Sequence, residues 1–229
     1  MPPTVASRRA FDEVILVHGM WHQPGHFNFL AKSLEALGYR IRVPRLHRGN
    51  VAADVSVVQE EIDSCTRPPA LLGHSYGGAV IGQTEGACAM LFVAAFVLHI
   101  GESCAKMGGP PLLESAIVTN IDGTTTLNPA LARQHLFADC PADRADTAVR
   151  LLTRQDSGHG RTIAWRESWV EVPTRYVVCG TDQALDVKVQ KQMASRCMSK
   201  ATLRGGHSVY ISQPNALAAE ISSLSLTAS

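Results

Sequence analysis

The chain has 229 residues, 45% of them hydrophobic and 18% charged, with a formal net charge of +1 at pH 7. That balance suits one soluble globular domain with a sizeable core and gives no electrostatic case for binding nucleic acid or an anionic membrane. The longest apolar stretch, Ala87 to Ile100, is broken by His99 and falls short of the roughly 20 residues of a membrane span; Met1-Pro2-Pro3-Thr4 lacks the pattern of a signal peptide.

In chain order, Glu13 to Val17 is a continuous aliphatic run, typical of a strand covered on both faces. Pro24-Gly25 opens a helix with Phe29, Leu30, Leu34 and Leu37, stopped by Gly38. Tyr39 to Val43 reads as a second strand, and Val51 to Cys65 as a helix with Val51, Val55, Val58 and Ile62 on one face. Pro69 to Leu72 is a strand running into Gly73-His74-Ser75-Tyr76-Gly77-Gly78, and a small-residue helix follows to about Ala89. Met90 to Phe96 is another buried strand. Residues 101–170 then carry scattered glycines and short helical pieces, which predicts a small helical cap inserted into a core of 1–100 and 171–229. Thr174 to Cys179 resumes the strands, Leu185 to Cys197 is a helix, Lys200 to Leu203 a last strand, and Pro214 to Leu224 the closing helix. The alternation predicts an α/β fold with a mostly parallel, doubly wound sheet of about six strands. Sites in such sheets lie beyond the carboxyl ends of the strands, where His18, Ser75, Asp182 and His207 all fall.

Gly73-x-Ser75-x-Gly77 between a strand and a helix is a nucleophile elbow, a turn that strains the serine and exposes its hydroxyl. A serine needs a base, and the base needs a carboxylate to orient it. Asp182 follows the strand after the cap, and His207 follows the next strand behind Gly205-Gly206; Ser-Asp-His is the chain order of the α/β-hydrolase fold. Asp186 is the rival acid but lies within the next helix. For the oxyanion, the backbone N–H of Tyr76 and that of Met20, in the loop His18-Gly19-Met20, are the candidates. His18 is expected to hold this loop by hydrogen bonds. His18, His22 and His26 are spaced by four, yet they straddle Pro24-Gly25 and lack an H-E-x-x-H acid, so no metal is expected. The six dispersed cysteines (65, 88, 104, 140, 179, 197) form no C-x-x-C pair and suggest free thiols in a reducing, cytoplasmic compartment, with a disulfide within 104–140 left open.

Val17-His18-Gly19-Met20-Trp21-His22, Gly73-His74-Ser75-Tyr76-Gly77-Gly78, Ala94-Ala95-Phe96-Val97 with Gly101-Glu102-Ser103, Cys179-Gly180-Thr181-Asp182 and Gly206-His207 resemble the α/β-hydrolases of the plant methylesterase and hydroxynitrile lyase group and their bacterial and fungal esterase relatives. The resemblance covers the core and is weak through 101–170. It implies a serine hydrolase with no metal and no cofactor. The lyases of that group carry a threonine directly after the first-strand histidine and a lysine directly after the catalytic histidine. Gly19 and Ser208 stand at those places here, so a cyanide leaving group has no cationic partner and the esterase reading gains.

The expectation is therefore hydrolysis of a carboxylic ester or lactone of a small hydrophobic metabolite through an acyl-enzyme, in a chain for which a homodimer is the assembly left open. Gly19, Trp21, His74, Met107, Leu136, Phe137, Trp165 and Ser208 are the candidate substrate contacts. Two alternatives stay open: a lyase, cyclase or carbon–carbon bond hydrolase acting with the same triad on a polyketide-like metabolite, and a ligand receptor that retains the triad.

Overall fold

Aliphatic side chains pointing to both faces make Glu13–Val17 a fully buried strand, β1, and the rest of the core is laid beside it. The computed structural model describes residues 9–47, 49–108 and 111–227. A 3-10 turn, Pro24–Phe27, leads from β1 to α1 (Asn28–Ala36), then β2 (Arg40–Arg42), α2 (Val51–Asp63), β3 (Ala70–His74), α3 (Tyr76–Ile81) and β4 (Ala89–Val93). Segment 101–170 holds α4 (Cys104–Met107), α5 (Pro111–Ala116), β5 (Ile117–Thr119), β6 (Thr124–Leu127), α6 (Pro129–Leu136), α7 (Ala142–Leu151) and β7 (Gln155–Asp156). The core resumes with β8 (Thr174–Cys179), α8 (Val187–Ala194), β9 (Ser199–Leu203), α9 (Val209–Ser212) and α10 (Pro214–Thr227).

The main sheet has six strands in the order β2-β1-β3-β4-β8-β9, with every pairing parallel. Side chains alternate between two cores, as the period of two requires. Val14, Leu16, Leu72, Leu91 and Val177 pack with Leu30, Leu34, Leu217 and Ile221 of α1 and α10. Ile15, Val17, Leu71, Phe92 and Tyr176 pack with Val58, Ile62, Val80 and Met193 of α2, α3 and α8. This is the α/β-hydrolase fold.

Several core elements are shorter than their sequence pattern predicts: β2 is Arg40–Arg42, α2 ends at Asp63 and α8 is Val187–Ala194, and β4 and α3 also stop early. β4 stops at Val93 because Ala94 turns to φ 44° and Ala95 leaves the ladder. The Tyr176 hydroxyl receives Ala95 N–H at 2.8 Å and donates to Ala95 C=O at 2.7 Å, so the departing backbone stays satisfied. α3 ends at Ile81, capped by Gly82, rather than reaching Ala89. Segment 101–170 carries short helices and, beside them, a three-stranded antiparallel sheet β5-β6-β7 that the helical pattern does not announce. The local signals were Asp122-Gly123 at the hairpin turn and three successive β-branched threonines in β6. All six cysteines are free thiols. Among the described residues no helix is long and apolar enough to cross a membrane.

Candidate active site

β3 delivers Ser75 and α3 leaves it, with Ser75 at φ 54° and ψ −121° between them. The strained turn is held from both sides. Ser75 N–H donates to Val93 O at 3.2 Å, and Ser75 O accepts from Gly78 N and Phe96 N, each at 3.1 Å. A Cβ on Gly73 would lie 2.7 Å from Gly78 Cα, so the helix can double back this closely only over glycine.

Asp182 follows β8 and points its buried carboxylate into four donors. Oδ1 accepts from Ala184 N at 2.7 Å and Leu185 N at 3.0 Å; Oδ2 accepts from Gln190 Nε2 and from His207 Nδ1, both at 2.8 Å. His207 follows β9. With Nδ1–H donating to the carboxylate, Nε2 is the ring nitrogen left to accept a proton. Asp186, the rival acid, caps the N-terminus of α8 by accepting from Lys188 N at 2.7 Å and is exposed.

The oxyanion-loop candidate has a defined orientation. Gly19 O accepts from His22 N at 3.3 Å and stands 3.0 Å from His18 Nδ1. Across a trans peptide, N–H and C=O are antiparallel, so Met20 N–H faces away from those groups. His18 thus holds the loop, its Nε2 also receiving Leu46 N–H at 3.4 Å. Gly19 lies tight on the elbow, where a Cβ would come 3.0 Å from Ser75 Cβ. His22 Nδ1 sits 2.7 Å from Met20 O and pins the following peptide.

A family profile described as the alpha/beta hydrolase family matches residues 14–220. The chain belongs to that family. Alpha/beta hydrolase nvfD of Aspergillus novofumigatus is 25% identical over 229 residues, covering 88% of this chain and 92% of the relative. The pyrethroid hydrolase of Sphingobium wenxiniae is 24% identical over 244 residues, covering 91% of this chain and 86% of the relative. A crystal structure of a pyrethroid hydrolase from Sphingobium faniae superposes with a TM-score of 0.82 at 21% identity, covering 94% of this chain and 97% of that one.

In this alpha/beta hydrolase, Ser75 and His207 face one cavity of about 280 Å³. Met20, Trp21, His22, Tyr76, Ala184 and Leu185 wall it from the core, with Cys104, Ile117 and Leu136 from segment 101–170. Glu114 is the one carboxylate on this wall among the described residues. Of the candidate substrate contacts, Trp21 and Leu136 stand on the wall.

The other candidates lie elsewhere, for physical reasons. Phe137 is fully buried, stacks on His26 at 6.1 Å and lies behind the wall residue His22, whose ring is 5.9 Å away. Met107 is half-buried against the α2–α3 core layer. Trp165 is 45% exposed, its backbone tied to Gln83 Oε1. Ser208 is buried, with its hydroxyl 3.1 Å from Tyr210 OH. Gly19 is covered by Ser75 and His74. His74 lies behind the elbow, where its Nε2–H donates to His207 O at 3.1 Å, so it acts on the histidine loop rather than on a ligand.

Three histidines, His26, His22 and His74, are packed in a row leading to His207, with His22 on the cavity wall. His26 and His22 rings are 4.5 Å apart, His22 and His74 5.5 Å, and His74 and His207 4.5 Å. Burial, and then neighbouring histidines, push His22 and His74 well below the ordinary imidazole range; burial brings His26 down to about 4. All three are therefore neutral at pH 7. Among the described residues, no cluster of three or more His, Cys, Asp or Glu side chains is placed to hold a metal.

Sequence reading missed Gln190 and the tether on Trp21. Gln190 is fully buried on α8, where its neighbours on the covered face are Val187, Met193 and Ala194. A glutamine on an apolar stripe was the available signal. Trp21 takes φ 60°, rare for a bulky residue. Its Nε1–H donates to Thr125 Oγ1 at 3.1 Å, and its carbonyl accepts from Thr153 N at 2.8 Å. Nothing local announces partners so distant in the chain.

Proposed function

We propose that this chain is a serine carboxylic ester hydrolase acting on an ester or lactone of a small hydrophobic metabolite, with segment 101–170 as the cap over its site. The observation that carries the reading is the 2.8 Å contact of His207 Nδ1 with Asp182 Oδ2, on the cavity that Ser75 also faces. In this reading His207 Nε2 takes the Ser75 hydroxyl proton as Oγ bonds to the carbonyl carbon. The carbonyl oxygen becomes an oxyanion, which Met20 N–H and Tyr76 N–H stabilise. Collapse breaks the ester bond, and the alcohol leaves with the proton from His207. Water then adds by the same route, its proton passing to His207 and on to Ser75 Oγ as the acid is released. Asp182 keeps the His207 tautomer and offsets the imidazolium charge. The mostly apolar wall and the small volume favour a compact, hydrophobic acyl or alcohol group.

The hydrolase names of the relatives support the reaction class, and Ser208 in place of a lysine supports hydrolysis over cyanide release. The test is acylation by a serine-directed fluorophosphonate together with turnover of aryl esters of increasing chain length, beside Ser75→Ala. The expected result is stoichiometric labelling and turnover, both lost in the variant. Folded protein that neither labels at Ser75 nor cleaves any ester of the series would sink the reading.

A further inference from the structure

The loop that carries His207 is held by a residue of the cap. Asp139 lies between α6 and α7, and its Oδ2 accepts from Gly206 N at 2.8 Å and from Ser212 Oγ at 2.8 Å. One turn into α7, Arg144 Nη1 donates to Ile211 O at 3.1 Å, so this stretch follows the chain from 206 to 212. The fit is close: a Cβ on Gly206 would stand 2.6 Å from Asp139 Oδ1, and one on Gly205 3.2 Å from Oδ2. The two glycines before the histidine are thus the room in which the carboxylate sits. On the other side, His207 O accepts from His74 Nε2 at 3.1 Å. The backbone of His207 is fixed at both ends, once by the core and once by the cap. Asp139 itself is exposed and is not on the cavity wall.

We propose that Asp139 is a positioning residue: by binding Gly206 N–H it sets the backbone of His207 so that Nδ1 meets Asp182, and docking of the cap and assembly of the His–Asp pair become one event. This rests on the reading of His207 as the base. Loss of the Asp139 side chain leaves Gly206 N–H to water, a less directed partner than an acceptor fixed on the cap. The ring of His207 is then free to swing by the small amounts that proton transfer does not tolerate.

The experiment compares Asp139→Ala and Asp139→Asn with wild type by three readouts: kcat and KM for an aryl ester, the rate of fluorophosphonate labelling, and the downfield proton resonance of His207 Nδ1–H, assigned by its absence in His207→Ala. Asp139→Ala is expected to lower kcat and labelling by about tenfold, the scale of one hydrogen bond, with KM within about twofold, and to broaden the resonance. Asp139→Asn keeps an oxygen for Gly206 N–H and is expected to recover most of the loss. Gly206→Ala, which drives a methyl into the carboxylate, is expected to reproduce the Asp139→Ala defect and stands in should that variant fold poorly. An unchanged kcat and an unmoved resonance in Asp139→Ala overturn the proposal, as does an Asp139→Asn variant with the full defect, which would assign the effect to charge. The resonance reads the position of His207 even in a protein that cleaves none of the esters, so failure of the hydrolase reading and failure of this proposal are separable.

Discussion

Gln190 Nε2 and His207 Nδ1 share one acceptor, Asp182 Oδ2, each at 2.8 Å. Gln190 also donates to Leu185 O at 2.9 Å and accepts Cys179 N–H at 2.8 Å, so a single buried amide ties the end of β8 to the loop that holds the carboxylate. Gln190→Leu leaves Cys179 N–H and Leu185 O without this partner in the core. Each unsatisfied buried group costs about 1–3 kcal/mol. A fall in thermal midpoint of several degrees is expected, with kcat reduced more than KM is raised. Gln190→Glu sets a second buried carboxyl beside Asp182 and is expected to be the worse variant. Calorimetry and ester kinetics on both test this; a Gln190→Leu protein as stable and active as wild type contradicts it.

The Trp21 tether makes a second prediction. Trp21→Phe keeps the ring but loses the bond from Nε1 to Thr125 Oγ1, and with it one restraint on a left-handed residue next to Met20. About 1 kcal/mol of that restraint should appear as a severalfold fall in kcat. Thr125→Val removes the other end of the bond but also releases Gln155 O. In a double-mutant cycle the pair should lose less than the sum of the single effects. Additive losses would show that the bond is not what holds the loop.

Acid should weaken the fold through His26. Gln23 N–H donates to its Nδ1 at 3.1 Å and its Nε2 lies 3.0 Å from Ala148 O, so the neutral ring bridges the core to α7. Burial brings its pKa down from 6.5 to about 4. Between those values the unfolded chain binds a proton that the folded chain refuses. Stability from this group is therefore complete above about pH 6.5 and drains as pH falls toward 4, by up to roughly 3 kcal/mol. His22 and His74, lowered in the same direction, steepen the loss. Thermal midpoints measured from pH 7 to 4.5 should fall less steeply in His26→Gln; equal slopes would exclude His26 as a source.

Glu114 lies on the wall of an apolar cavity, where the acid product of the proposed hydrolysis would carry a negative charge. Glu114→Gln should strengthen inhibition by a carboxylate product by about two- to fivefold at low salt, and the difference should fade as ionic strength rises. Inhibition constants at two salt concentrations decide it.

The core strands and the elbow are legible in the sequence because their signals are local. Ile15 and Leu16 are apolar for opposite faces of one strand, and Gly73, Ser75 and Gly77 are what a strand–turn–helix of that geometry admits. The cavity wall was much less legible. Leu136 and Phe137 are adjacent and equally apolar, yet only Leu136 meets the cavity, since consecutive residues at the end of α6 point in different directions. Cys104, Ile117 and Ala184 reach the wall without any pattern of their own.

The order of Ser75, Asp182 and His207, each just past the carboxyl end of a strand, follows from the sequence alone: turn chemistry and strand periodicity are properties of a few neighbouring residues. The tertiary structure alone decided which histidines are neutral core, and that Gln190, Asp139 and Thr125 contact Asp182, the His207 loop and Trp21. Those contacts join residues far apart in the chain, and an isolated glutamine, aspartate or threonine carries no periodic mark of the partner it will find when the layers pack.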